Sequence, residues 1–193
     1  FEGAHLHGQI HWSLTGEHNR HNALVAVVAA AHVGVDPATS IRALSSFGGV
    51  KRRMEVRGVV NQITVYDDFA HHPTAIRTTI DGLRAQIGDS RILAVLEPRS
   101  NTMKLGTMAA RLPEALEQAD RVFCFGERSG KQALGWDPAE VLASLGERVQ
   151  AHHEMDRLVQ AIVAEARPGD HILVMSNGGF GGIHQKLLTS LAQ

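Results

Sequence analysis

Ile92-Leu93-Ala94-Val95-Leu96 is apolar at five consecutive positions. A strand with one solvated face alternates polar and apolar residues, so this segment reads as a strand covered on both faces, inside a parallel sheet. The flanking sequence keeps to the same scheme. Ile76, Ile80 and Leu83 predict a helix over 74–85, and Met108, Leu112, Leu116 and Ala119 predict another. Val122-Phe123-Cys124-Phe125 is a second apolar strand, and the looser stretch 126–153 holds a short helix near 138–145. A helix over 156–166 follows, then a Pro168-Gly169-Asp170 turn into a strand at 171–175. Ile183, Leu187 and Leu191 mark a closing helix. Repeated βα units from about residue 54 onward define an α/β fold, a Rossmann-like, mostly parallel, doubly wound sheet.

The first fifty residues are different. Positions 4–12 alternate, with Ala4, Leu6, Ile10 and Trp12 on one face and His5, His7, Gln9 and His11 on the other, which predicts a half-buried strand with a solvated polar face. An apolar helix over 23–33 is expected to be buried nearly all round. Asp36-Pro37 supplies the N-cap and first-turn pair of a second, amphipathic helix running to Phe47. Gly48-Gly49 and the basic run Lys51-Arg52-Arg53 look like a hinge. Beyond it, 54–60 and 62–66 are β-rich and meet at Asn61 in a hairpin or bent strand.

Charge excludes several functions. Nineteen Lys and Arg against 20 Asp and Glu leave a formal net charge of −1, no basis for a nucleic-acid or polybasic membrane partner. The single cysteine, Cys124, excludes an internal disulfide and points to a reducing cytoplasm. Apolar runs are too short to span a bilayer. Phe1 is followed by no charged-then-apolar leader, so we expect a piece of something longer and no secretory signal.

Ligands of such sheets bind at the carboxyl ends of the strands. Three strand ends here are crowded with polar groups. Tyr66-Asp67-Asp68-Phe69-Ala70-His71-His72-Pro73 gathers two carboxylates and two imidazoles, which suits either a ligand site or a capping loop at a helix start. At 97–104, Arg99 and Lys104 could clamp carboxylates, with Ser100 and Asn101 adding neutral hydrogen bonds, although solvated surface charge accounts for them as well. The glycines of Ser176-Asn177-Gly178-Gly179-Phe180-Gly181-Gly182 would let backbone amides approach a ligand, or simply make a turn. Neither a G-x-G-x-x-G nor a G-x-x-x-x-G-K-[ST] motif is present. Asn19 and Asn22, three apart at a helix start, could read an adenine edge or cap the helix.

Taken in order, H-N-x-x-N-A-L at 18–24, K-R-R-M-E at 51–55, Y-D-D-F-A-H-H-P at 66–73, E-P-R-S-N-T-M-K at 97–104 and M-S-N-G-G-F-G-G-I-H-Q-K at 175–186 resemble the ATP-dependent Mur ligases of bacterial cell-wall synthesis. The last two segments are similar to the branch that joins UDP-N-acetylmuramate to the tripeptide L-Ala-γ-D-Glu-meso-diaminopimelate during peptidoglycan recycling. The resemblance implies that residues 1–52 are the end of a central ATPase domain, contributing a strand and two helices, and that 53–193 are the C-terminal domain. It implies ATP and Mg²⁺ as cofactors, with the phosphate loop and the Mg²⁺ ligands upstream of Phe1, so that this piece alone is expected to be inactive.

The resemblance further places Asn19, Asn22, Arg53 and Asp68 at the nucleotide. It puts His71 and His72 near the cleft without a proton-transfer step. Arg99, Ser100, Asn101, Lys104, Gly179 and Phe180 are the candidates for binding the tripeptide substrate. The alternatives are the UDP-N-acetylmuramate–L-alanine branch, a non-catalytic ligand-binding module and, more remotely, a nicotinamide-dependent enzyme.

Overall fold

The computed structural model describes residues 8–12, 14 and 16–193. The chain divides into two compact units, Phe1–Val50 and Lys51–Gln193. No helix among the described residues is long and apolar enough to cross a membrane.

In the first unit, residues 4–7 of the expected strand lie outside the described residues, and 8–12 form no strand. Helix α1 spans Glu17–His32, and α2 spans Pro37–Ser45. Asp36 caps α2, its Oδ2 accepting the Thr39 amide at 3.1 Å, with Pro37 in the first turn as the dipeptide requires. The expectation that α1 is buried all round fails. Ala23 is its buried residue, while Leu24 and Val25 are 58% and 66% exposed. The physical reason is a shortage of partners, since the short helix α2 is the element packed against α1 within this unit.

The second unit is built on a six-stranded sheet. Its strands are β1 (Glu55–Val60), β2 (Ile63–Asp68), β3 (Ile92–Leu96), β4 (Arg121–Phe125), β5 (Val149–His152) and β6 (His171–Met175), in the order β1-β2-β6-β3-β4-β5. Only β1 runs antiparallel; the remaining neighbours are parallel. The β1–β2 hairpin turns at Asn61-Gln62, both with positive φ, the geometry that matches the twist of a two-residue hairpin.

Alternate residues of each strand enter two separate cores, because side chains on a strand point to opposite faces. Ile92, Ala94 and Leu96 join Val122, Cys124, Leu173 and Met175 on one face. That face is covered by α3 (Pro73–Ile87), through Ile76, Ile80 and Leu83, and by α5 (Leu112–Ala115) with Leu116. Leu93, Val95, Phe123, Ile172 and Val174 face the other way, under α7 (Met155–Glu165) and α8 (Ile183–Leu191). Every residue of β3 is buried, as its unbroken apolar run requires. Each fully buried Ile or Leu contributes about 1.5–3 kcal/mol relative to exposure.

Two expectations need correction. The single helix inferred from Met108 to Ala119 is instead a 3₁₀ turn at Ala109–Arg111 followed by the short α5, with a separate α4 (Asn101–Lys104) ahead of them. Gly106 at φ +76° separates α4 from this stretch, and Pro113 sits in the first turn of α5. The stretch 126–153 also contains, besides α6 (Pro138–Val141), the edge strand β5.

Candidate functional site

Strands β6 and β3 are neighbours whose chains leave in opposite directions. From β3 the chain proceeds toward β4, whereas from β6 it turns into α8, which packs on β1 and β2. The connections that leave the carboxyl ends of these strands therefore diverge, and the switch point between them is the usual ligand position in doubly wound sheets. The ends of β2, β6 and β3 bring Asp67, Asp68, Ser176 and Glu97 to it, all 9% exposed or less.

Asp68 is held by the chain itself. Its Oδ1 accepts the Ala70 amide at 2.7 Å and the Thr79 hydroxyl at 3.3 Å, and Oδ2 accepts the Met54 amide at 2.8 Å. Burial pushes this carboxyl above the usual range, offset by the Ala70 and Met54 amides, the nearby Arg53 charge and Thr79. The carboxylate thus fastens segment 52–54 to the end of β2. It does not cap α3; that position is taken by His72, with Pro73 following in the first turn.

Arg52, which sequence reasoning did not single out from its basic run, is the hub. Its Nη2 donates to the carbonyl oxygens of Ser176 at 2.6 Å and Gly178 at 2.8 Å. Its Nε donates to Asp67 at 3.3 Å, and its guanidinium lies 5.1 Å from the Phe69 ring centre. The residue sits at φ +58°, a conformation L residues rarely hold unless the surroundings impose it. No sequence signal marks such a backbone position when glycine is absent.

Asp67 also lies 3.7 Å from Arg57 and 3.4 Å from His184 Nε2. The imidazole is too poorly aligned for a hydrogen bond, and its Nε2 has no other partner. Burial holds His184 below its usual range; Asp67 opposes this, while the charges of Arg57 and Arg52 add to it.

The other anticipated residues divide between exposed and buried positions. Arg53 is exposed, stacks 5.7 Å from the Phe69 ring centre and spends no hydrogen bond on the protein. His71 shares its Nδ1 with the Phe69 carbonyl at 2.9 Å and is half-buried, as is His72. Asn19, half-buried, and Asn22, exposed, lie one turn apart on α1 in the first unit.

Arg99 is half-buried with Nη1 3.9 Å from Glu97, and its guanidinium lies over Gly178. A Cβ at Gly178 would fall 1.9 Å from that Nη1, so this glycine makes the room that Arg99 occupies. Ser100 caps α4 by accepting the Met103 amide, Asn101 is exposed, and Lys104 donates to the Lys131 carbonyl at 3.2 Å. Gly179 is exposed at the tip of the loop. Phe180 is not at the surface: it is 1% exposed and packs 5.7 Å from the Phe125 ring centre in the core. Gly181 and Gly182, at φ +56° and +70°, turn the chain into α8, which accounts for two of the four glycines.

Glu97 accepts a short hydrogen bond from the Ser176 hydroxyl, which in turn accepts the Gly178 amide at 2.9 Å. Burial raises the Glu97 carboxyl; the Ser176 hydroxyl and the charges of Arg99 and Arg52 oppose the rise, and Glu127 adds to it. Beyond the ends of β4 and β5, Glu127, Arg128, Ser129, His152, His153, Glu154 and Arg157 line an open cleft of about 560 Å³.

A doubly wound sheet whose polar and glycine-rich segments gather at the switch point has the layout of an α/β ligand-binding domain. Residues 52–178 match the family described as Mur ligase, glutamate ligase domain. The chain belongs to the Mur ligase family. It is 52% identical over 187 residues to the UDP-N-acetylmuramate–L-alanyl-γ-D-glutamyl-meso-2,6-diaminoheptandioate ligase of Escherichia coli K12, covering 96% of this chain and 40% of that protein. It is 34% identical over 185 residues to the UDP-N-acetylmuramate–L-alanine ligase of Mycobacterium sp. JLS, covering 93% of this chain and 38% of that protein. The crystal structure of a murein peptide ligase from Psychrobacter arcticus 273-4 superposes with a TM-score of 0.75 at 44% identity, covering 95% of this chain and 39% of that one. The chain therefore spans about two fifths of the length of these relatives.

Proposed function

We propose that this chain is the C-terminal part of an ATP-dependent ligase that joins UDP-N-acetylmuramate to L-Ala-γ-D-Glu-meso-diaminopimelate, in the cytoplasm, during peptidoglycan recycling. In this reading residues 1–52 end the central ATPase domain and 53–193 form the C-terminal domain. The observation that carries the peptide assignment is the packing of Arg99 over Gly178. It joins the 97–104 and 175–186 segments, the two that resemble the tripeptide branch, into one surface. The higher identity to the tripeptide ligase than to the L-alanine ligase supports the same choice.

The proposed chemistry has two steps. The muramoyl carboxylate attacks the γ-phosphorus of ATP, expelling ADP and giving an acyl phosphate. The peptide's amine then attacks the acyl carbon, and phosphate leaves as the amide forms. Arg53, exposed with unspent hydrogen-bond donors, suits a phosphate oxygen, while Asp68 holds the segment bearing it. Arg99 suits a substrate carboxylate, with Asn101 beside it. Asn19 and Asn22 present side-chain amides of the kind that an adenine edge pairs with.

Among the described residues no three His, Cys, Asp or Glu gather as a metal site; in this reading the Mg²⁺ ligands belong to the rest of the longer protein. In this reading the phosphate loop also belongs to the rest of the longer protein, and this piece alone is expected to be inactive. Calorimetry on the full-length enzyme, loaded with a non-hydrolysable ATP analogue and UDP-N-acetylmuramate, tests the choice of acceptor. The tripeptide should bind and free L-alanine should not; the reverse result overturns the assignment.

A further inference from the structure

Helix α4 has four residues, too few to hold its own shape in water, so its position is set by what grips its ends. At the amino end Ser100 accepts the Met103 amide. The carboxyl end is gripped from a distant part of the chain, the stretch that follows β4. Trp136 donates its indole N–H to the Met103 carbonyl at 2.7 Å, and the Gly135 amide donates to the Lys104 carbonyl at 2.8 Å. Lys104 returns the contact, its ammonium donating to the Lys131 carbonyl at 3.2 Å and to Gln132 Oε1 at 3.5 Å. Segment 131–136 and α4 thus hold each other from both sides. The fit is close: a Cβ at Gly135 would stand 3.1 Å from the Lys104 carbonyl oxygen, and one at Gly106 would stand 3.1 Å from the Trp136 ring. Trp136 is half-buried against the core that contains Met103, a setting in which an indole N–H requires a partner.

We propose that Trp136 is a positioning residue of the ligase, the anchor of a strap formed by segment 131–136 that holds α4 and, through it, the adjoining Arg99 and Asn101 in the arrangement that meets the peptide. The inference rests on the ligase reading above and changes the part Lys104 plays in it. The Lys104 ammonium fastens the strap and does not clamp a substrate carboxylate. Loosening the strap lets α4 sample displaced arrangements, and apparent affinity falls with the population of the arrangement that binds.

The test uses the full-length ligase that carries this chain, with ATP, UDP-N-acetylmuramate and the tripeptide. Trp136→Phe keeps an aromatic ring in place and deletes the N–H donor, while the Met103 carbonyl retains the Gly106 amide at 3.1 Å, so the fold should persist. The KM for the tripeptide should rise about fivefold, the scale of one net hydrogen bond, with kcat and the KM values for the other two substrates within about twofold of the parent's. Lys104→Met should act alike. In the double variant a shared strap predicts a rise close to that of the larger single change, whereas independent sites would multiply to about 25-fold. A multiplied effect would mean that Lys104 binds the peptide directly and would overturn the strap. An unchanged tripeptide KM in Trp136→Phe does the same. Parallel rises in all three KM values with a lowered melting temperature would reveal a general loss of fold and also overturn it. If the parent enzyme turns over no tripeptide, the ligase reading itself fails and the strap's role falls with it, an outcome the parent alone reveals.

Discussion

Arg52 donates to the carbonyl oxygen of Ser176 at 2.6 Å, across 124 residues of sequence, and so pins the start of the sheet-bearing unit to the end of its central strand β6. The same Nη2 reaches the Gly178 carbonyl, and Nε reaches the buried Asp67. The loop that cradles Arg99 is therefore set by a residue from segment 51–53.

Arg52→Ala should destabilise the protein by about 2–3 kcal/mol, because it strips charged hydrogen bonds from two carbonyls and from Asp67. Urea denaturation measures this. A loss under about 0.5 kcal/mol, the range of an ordinary surface change, would show that the hub does not hold the loop.

Gly178→Ala places a Cβ where the Arg99 guanidinium lies. Arg99 is the part able to move, so the fold should survive with a stability change within about 1 kcal/mol, while the KM for the peptide rises about tenfold or more. Steady-state kinetics beside a thermal melt separate the two effects.

Asp68→Asn offers one acceptor oxygen where the carboxylate offers two. Either the Ala70 or the Met54 amide would then face an NH₂ group, at a cost of about 1–3 kcal/mol. Chemical denaturation at pH 7 reads it, and an unchanged midpoint contradicts the bonding described.

Glu165 provides a pH test. The Arg121 hydrogen bond, with Arg91 adding to it, holds its carboxyl below the ordinary glutamate value against its burial. A depressed folded-state pKa means stability that is present above the unfolded value and lost as pH falls through the folded one. Glu165→Gln should therefore destabilise at pH 7, and the gap to the parent should close as the pH is lowered below 4.5. A gap independent of pH would remove the ion pairs from the account.

The parts legible in the sequence are those where one periodicity dominates. β3 is apolar at every position because it is covered on both faces, and Asp36-Pro37 starts a helix by local chemistry alone. β5 escaped notice because each of its four residues is only half-buried at the sheet edge, which leaves no alternation to read. The exposure of α1 depends on what packs on it, which its own composition does not encode. At the switch point, the strand-end segments were visible as polar clusters, yet the importance of Arg52 and Glu97 was not. Arg52 acts through a left-handed backbone position and contacts on β6, and Glu97 through burial beside Ser176. Phe180, within the glycine loop, looked like a ligand contact but belongs to the core.

The ligase reading is tested most directly by competition. The full-length enzyme would be supplied with ATP, UDP-N-acetylmuramate and equal concentrations of L-alanine and L-Ala-γ-D-Glu-meso-diaminopimelate, and the products identified by mass. The account predicts UDP-N-acetylmuramoyl-tripeptide with stoichiometric ADP. A product carrying L-alanine alone, or no ligation with either acceptor, would contradict it.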